Sequence, residues 1–204
     1  MHRSLKNTRF ESANAASMST FEYIASIYSI VLGLAVANVL SAIVWTLKYR
    51  DSIRLNWIHS AWCAYLLFAL IATWWGLWQT LSDIQTSGLF EFLIVFQLTV
   101  FLYLASSLLR PDPDREIGND LVAYFEKIRV PFLLCLILPL AIFVPASYLV
   151  FDYFDPIFLL TEGLLVILGV VGLIFAARSV QAFVVCAWLA ILVTQESLQA
   201  AVGG

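Results

Sequence analysis

A carboxylate set in the middle of an apolar run is costly to bury as an ion, so it is a default candidate for ion or proton chemistry. Glu162 is the strongest such residue in this 204-residue chain. It lies inside the apolar stretch Ile157–Ala177, about six residues and roughly 9 Å from the nearer end of a helix at 1.5 Å per residue. Seven residues later comes Gly169, on the same helical face, followed by Gly172 and Ala176. A carboxyl sharing a face with small residues is expected to look into a helix bundle and to be a site for a proton or a cation. Glu22, Glu91 and Glu196 fall near the same-side ends of three other apolar stretches. If they converge with Glu162 they form an acidic vestibule that attracts cations; the competing expectation is that these three meet headgroup water. Asn38 and Gln97 lie inside apolar stretches. They are expected to hydrogen-bond across helices, with ion coordination as the alternative.

Other chemistry is thinly supplied. His59 precedes Cys63 by one helical turn, and Cys135 and Cys186 are also within apolar runs. Zinc normally takes four ligands, or three and a water, so no metal site is expected and His59 is read as an interfacial residue. The second histidine, His2, is in the N-terminal tail, which leaves no bis-histidine haem within one chain. The chain has no HExxH, CxxC, GxSxG or P-loop. No lysine lies within an apolar stretch to anchor a Schiff base. The expectation is therefore no cofactor and no enzymatic activity.

The composition explains what must position these residues. Hydrophobic residues make up 62% of the chain, charged residues 12%, and the mean hydropathy is +0.90. Soluble domains carry roughly twice that charge, so the composition reads as an integral membrane protein. A net charge of −3 gives no basic patch for nucleic acid. Three scattered cysteines do not read as a disulfide framework.

Crossing the hydrocarbon core takes about 20 apolar residues. Six stretches qualify: Phe21–Leu47, Trp57–Leu81, Leu89–Leu109, Val130–Phe151, Ile157–Ala177 and Val180–Val202. Their continuity favours helices over barrel strands, which alternate. The fold expected is an all-α membrane bundle of six transmembrane helices, with residues 1–20 a polar tail and 21–204 a single domain. Short links, down to Arg178-Ser179 between the last two spans, make consecutive helices antiparallel neighbours.

Lys48, Arg50 and Arg54 occupy the first loop, Arg110, Arg115, Lys127 and Arg129 the third, and Arg178 the fifth. The second and fourth loops carry Asp83, Asp152 and Asp155 and no basic residue. The positive-inside rule then makes 48–56 and 110–129 cytoplasmic and puts both termini outside. Arg3, Lys6 and Arg9 in the tail oppose this. Either they are outweighed, or the natural start is Met18, immediately before the first span. A cleavage site at Ala35-Val36-Ala37 is not favoured, because the apolar run continues through Trp45. Trp45 and Trp57 fit one interfacial belt and Trp74, Trp75 and Trp78 the other.

Small residues recur every fourth position in the first span, at Ala25, Ser29, Gly33, Ala37 and Ser41, and in the last, at Ala182, Cys186, Ala190 and Thr194. Ser60, Ala64, Ala72 and Gly76 do so with interruption in the second. Such stripes permit close helix contact; packing within the bundle is expected, with subunit contact the alternative. Pro139 and Pro145 inside span four imply a static bend or a gate. Ahead of that span, Ile117, Leu121, Val122, Phe125 and Ile128 recur at helical spacing. They form a short amphipathic cytoplasmic helix or an extension of span four, capable of partner docking. Asp112 is a candidate cap for a preceding turn.

Three segments carry a resemblance: Phe21-Glu22-Tyr23-Ile24 running into Ser29-Ile30-Val31-Leu32-Gly33-Leu34; Trp57-Ile58-His59 with Trp74-Trp75; and Asp120 through Tyr124-Phe125. In these the chain resembles a group of small bacterial inner-membrane proteins of unknown function. The resemblance implies a bacterial inner membrane and favours a start at Met18; it carries no functional residues.

Three functions are compatible with these features. One is a small proton or cation channel or transporter built on Glu162. The second is a non-catalytic subunit or assembly factor of a larger membrane complex, whose partner is another membrane protein or a second copy. An enzyme acting on lipid or quinone ranks last, because clustered His, Asp and Glu are scarce.

Overall fold

The computed structural model describes residues 20–81, 88–111, 120–150 and 155–202, with the backbone alone at 20–23, 77–81 and 199–202. The tail with Met18, Asp83, Asp112, Ile117, Asp152 and the side chains of Glu22 and Trp78 lie outside the described residues. Six helices run α1 Thr20–Lys48, α2 Trp57–Leu81, α3 Leu89–Leu109, α4 Leu121–Leu149, α5 Pro156–Ile174 and α6 Arg178–Val202. All six are long and apolar enough to cross a membrane. Among the described residues there is no strand, only one isolated bridge between Arg54 and Asp120.

Three helix starts are capped by a side chain. The Asn56 side chain accepts from the Ile58 amide at 3.2 Å at the head of α2. Asp120 accepts from Val122 and Ala123 at 2.8 and 3.3 Å and caps α4. Asp155 accepts from Ile157 at 2.9 Å, with Pro156 in the first turn of α5. These side chains satisfy amides that have no intrahelical acceptor, which matters most where no water competes.

Around the bundle the helices follow the order α1, α3, α4, α5, α6, α2 and back to α1, and α2 also touches α3 and α4 across the middle. Trp62 of α2 is fully buried and meets Trp188 of α6 and Phe132 of α4 edge-on, with ring centroids 5.7 and 5.1 Å apart. The face of α1 that enters the core is Tyr28, Leu32, Ala35, Val39 and Ala42.

The structure corrects three expectations. Helix α4 begins at Leu121 rather than at Val130, and of the two expectations for the segment ahead of span four the extension is the one observed. Glu126 and Lys127 are exposed while Leu121, Tyr124, Phe125 and Ile128 are buried against the bundle. Helix α5 stops at Ile174 and Arg178 opens α6, so the link is 175–177. The α1 stripe turns largely outward: Gly33, Ala37 and Ser41 are exposed and a methyl at Gly33 would meet nothing within 4 Å, while Ser29, also exposed, accepts from Trp74 of α2 at 3.3 Å. Cys186, Ala190 and Thr194 of α6 and Ser60 and Ala64 of α2 are exposed as well. In lipid, apolarity does not select which face turns inward; here the larger side chains of each helix fill the core. His59, read as interfacial, is fully buried within the protein in the first turn of α2. By contrast Gly169 and Gly172 do pack, since a methyl there would lie 2.5 Å from Ile137 Cγ1 and 3.1 Å from Leu133 Cδ1 of α4.

Candidate functional site

The links 48–56 and 175–177 and the residues around 110 and 120 gather at one end of the bundle, the basic end. The other end, with Glu91, Asp155 and Glu196, is the acidic end. Polar groups at the basic end are used up in closing helix termini. His59 Nε2 lies 2.9 Å from the carbonyl oxygen of Leu109 at the foot of α3. A carbonyl only accepts, so Nε2 carries the hydrogen. Nδ1 is then free to accept from the Cys63 thiol at 3.9 Å. The Tyr124 hydroxyl donates to the carbonyls of Leu108 and Arg110 at 2.7 and 3.2 Å. Arg129 Nη1 donates to the last carbonyls of α5, those of Gly172 and Leu173, the latter at 3.0 Å. Gln181 Nε2 donates to Gly172 and Phe175, both at 2.7 Å. A guanidinium at a helix C-terminus meets both the free carbonyls and the negative end of the dipole. Among the described residues no three His, Cys, Asp or Glu side chains gather as metal ligands.

Toward the acidic end the helices separate around a cavity of about 300 Å³. Among the described residues, helices α2, α3, α4, α5 and α6 all line it, and α1 does not. Glu162 is on its wall, and so is Glu196. The Glu162 carboxyl sits on the face of α5 that carries the buried Leu165, Gly169 and Gly172, one turn apart each, which is why it looks inward. Gln195 of α6 holds it: Nε2 donates to Glu162 Oε1 at 3.3 Å and to Thr161 Oγ1 at 2.8 Å. Thr161 Oγ1 in turn donates back to carbonyls of its own helix at 2.9 Å. Among the described residues no cation pairs with Glu162 or Glu196; the two ion pairs there, Arg50–Asp51 and Arg54–Asp120, are both at the basic end.

Of the residues expected to share a path, the structure brings together Glu162 and Glu196. Glu91 is in the first turn of α3, folded back over Gly88, a placement that suits the positive end of the helix, and it does not line the cavity. Asn38 Nδ2 donates to Ser106 and Ser107 of α3 at 3.3 and 2.9 Å and ties α1 to α3. Gln97 Nε2 donates to the Pro139 carbonyl at 3.1 Å, bracing α3 against the proline-bearing stretch of α4. Both amides therefore join helices, and neither lines the cavity, although the Pro139 that Gln97 holds does.

The sequence reading missed Gln195, Tyr65, Thr73 and Trp188, which line the cavity with Glu162. Gln195 carried a usable signal: it is a polar residue inside an apolar stretch, as Asn38 and Gln97 are. Tyr65 and Trp188 carried none, because an aromatic residue in an aromatic-rich chain is indistinguishable from core. Family models, curated proteins and solved structures were all compared with the chain, and none matches it.

Proposed function

We propose that this polytopic membrane protein is a small proton or cation channel or transporter whose working site is the Glu162 cavity. The single observation behind this reading is an acidic side chain on a helix long and apolar enough to cross a membrane, on the wall of a cavity of about 300 Å³ lined by five helices, with no cationic partner among the described residues. A carboxyl kept only as structure would be matched by a cation or sealed by packing; this one is steadied by an amide that leaves its charge uncompensated. Such a group is suited to take up and release a proton or another cation. Glu196 on the same wall adds negative potential toward the acidic end. The basic end, with Lys48, Arg50, Arg54, Arg110 and Arg178, faces the cytoplasm by the positive-inside rule, which places both termini outside a bacterial inner membrane.

The test is flux through proteoliposomes containing the purified chain, with a pH-sensitive dye for protons and a potassium- or sodium-sensitive dye for cations, wild type beside Glu162→Gln. Flux in the wild type that falls at least tenfold in the variant is expected. Wild-type flux that ignores the substitution moves the path away from Glu162, and an absence of flux from folded wild-type protein rejects transport.

The exposed small stripe of α1 favours a second reading, a non-catalytic subunit seated on a partner helix. Gly33, Ala37 and Ser41 are uncovered within the chain, and such stripes suit close helix–helix contact. Cross-linking of Ala37→Cys in native membranes, run beside an exposed control such as Ile167→Cys, tests it. A specific product from Ala37→Cys alone supports the subunit reading.

A further inference from the structure

The cavity also restricts what kind of cation fits, an inference that rests on the Glu162 site above. A small hard cation stripped of water needs a shell of oxygens. Among the described residues, side-chain oxygens on the cavity wall come from Tyr65, Thr73, Glu162, Gln195 and Glu196. Most backbone carbonyls of the lining helices are committed to their own ladders, and near the α4 prolines the Pro139 carbonyl accepts from Gln97. The rest of the wall is apolar or aromatic: aliphatic residues of every lining helix, with Phe143, Phe158 and Trp188. The aromatic rings stand in two groups, Tyr65 and Trp188 with centroids 5.3 Å apart, and Phe143 and Phe158 at 6.1 Å. Ring faces attract cations, and alkylated ammonium groups above all, because those shed water cheaply. A wall with two carboxylates and four aromatic rings suits an amphipathic cationic guest. The volume is that of a small organic ligand site.

We propose that the cavity binds a lipophilic organic monocation, an alkylated ammonium on an apolar or aromatic body, with the Glu162 carboxylate facing its charge and the aromatic rings facing its body. Glu196 draws the cation in from the acidic end. Gln195 fixes one carboxylate oxygen of Glu162 so that the group is oriented before the guest arrives. Protons and the organic cation then compete for the same carboxylate.

The experiment measures equilibrium binding of benzyltrimethylammonium to the purified chain in detergent, against its uncharged isostere neopentylbenzene and against sodium and potassium. Saturable binding of the ammonium, weaker by tenfold or more for the isostere and in Glu162→Gln, is expected. Phe158→Leu should weaken it about threefold to tenfold, the range of one cation–π contact. Because a variant can misfold, a second measurement uses the wild type alone: modification of Glu162 by dicyclohexylcarbodiimide, read by mass spectrometry, should be slowed by benzyltrimethylammonium and not by equimolar sodium. Equal binding of the isostere, or binding and protection that ignore Glu162, overturns the proposal. Glu162-dependent flux of protons or potassium without ammonium binding overturns it too, while leaving the transport reading intact. Absence of both flux and binding from folded protein removes the two together.

Discussion

The two ends of the bundle use polar residues in opposite ways. At the basic end His59, Tyr124, Asp120, Arg129 and Gln181 all terminate helices, donating to or accepting from backbone groups that lipid cannot satisfy. Toward the acidic end Glu162 and Glu196 line a cavity, and the contact made by Glu162 is with another side chain rather than with a helix terminus. Burial alone therefore does not separate a functional polar group from a structural one. The partner does: a group bonded to a helix end is needed for the fold, and a group facing space is available for a ligand. Histidine and arginine, which sequence reasoning treats as the more chemical residues, are the structural ones here.

That contrast can be broken by substitution. Glu162→Gln should abolish most flux, tenfold or more, and yet change thermal unfolding in detergent by no more than about 0.5 kcal/mol, because an amide keeps the Gln195 contact and loses only an uncompensated charge. A large loss of stability would move Glu162 to the structural group. Arg129→Met should do the reverse. It strips a charged donor from the end of α5 and should cost about 1.5–3 kcal/mol of stability, with flux per folded molecule unchanged. Gly169→Ala should cost about 1–3 kcal/mol, since its new methyl overlaps Ile137, which is itself buried. His59→Leu leaves the Leu109 carbonyl without its donor and should cost about 1–3 kcal/mol, readable in the same unfolding assay. Gly33→Ala, on the exposed stripe, should be neutral to within about 0.5 kcal/mol in the isolated chain; a larger loss would mean that this face is covered by another helix under the conditions of the assay.

Much of this fold is legible in the sequence and much of the site is not. Trp57–Leu81 and Leu89–Leu109 coincide with the apolar stretches that predict them, because hydropathy alone determines where a helix can cross a membrane. The helical spacing of Leu121, Phe125 and Ile128 was legible, but the charges at Glu126 and Lys127 set the expected start of the span at Val130. Tyr124, buried against the foot of α3, was noted only within the resemblance and given no role. The α1 stripe was found and turned the wrong way, since a helix apolar all round has no sequence signal for inside. Glu162 was legible because its cost is local: a carboxyl within an apolar run, on the face of Gly169. Its companions Gln195, Tyr65 and Trp188 come from two other helices, and only tertiary packing sets them beside it.

The division between the two ends is tested most directly by thiol accessibility. Glu162→Cys, in a chain with Cys63, Cys135 and Cys186 replaced, is treated with a water-soluble trimethylammonium thiosulfonate, beside a chain that retains Cys63 alone. Cys63 is buried under His59 at the basic end. Rapid modification at position 162 with Cys63 inert is the predicted result. An inert position 162, or a Cys63 that reacts as fast, would contradict the account.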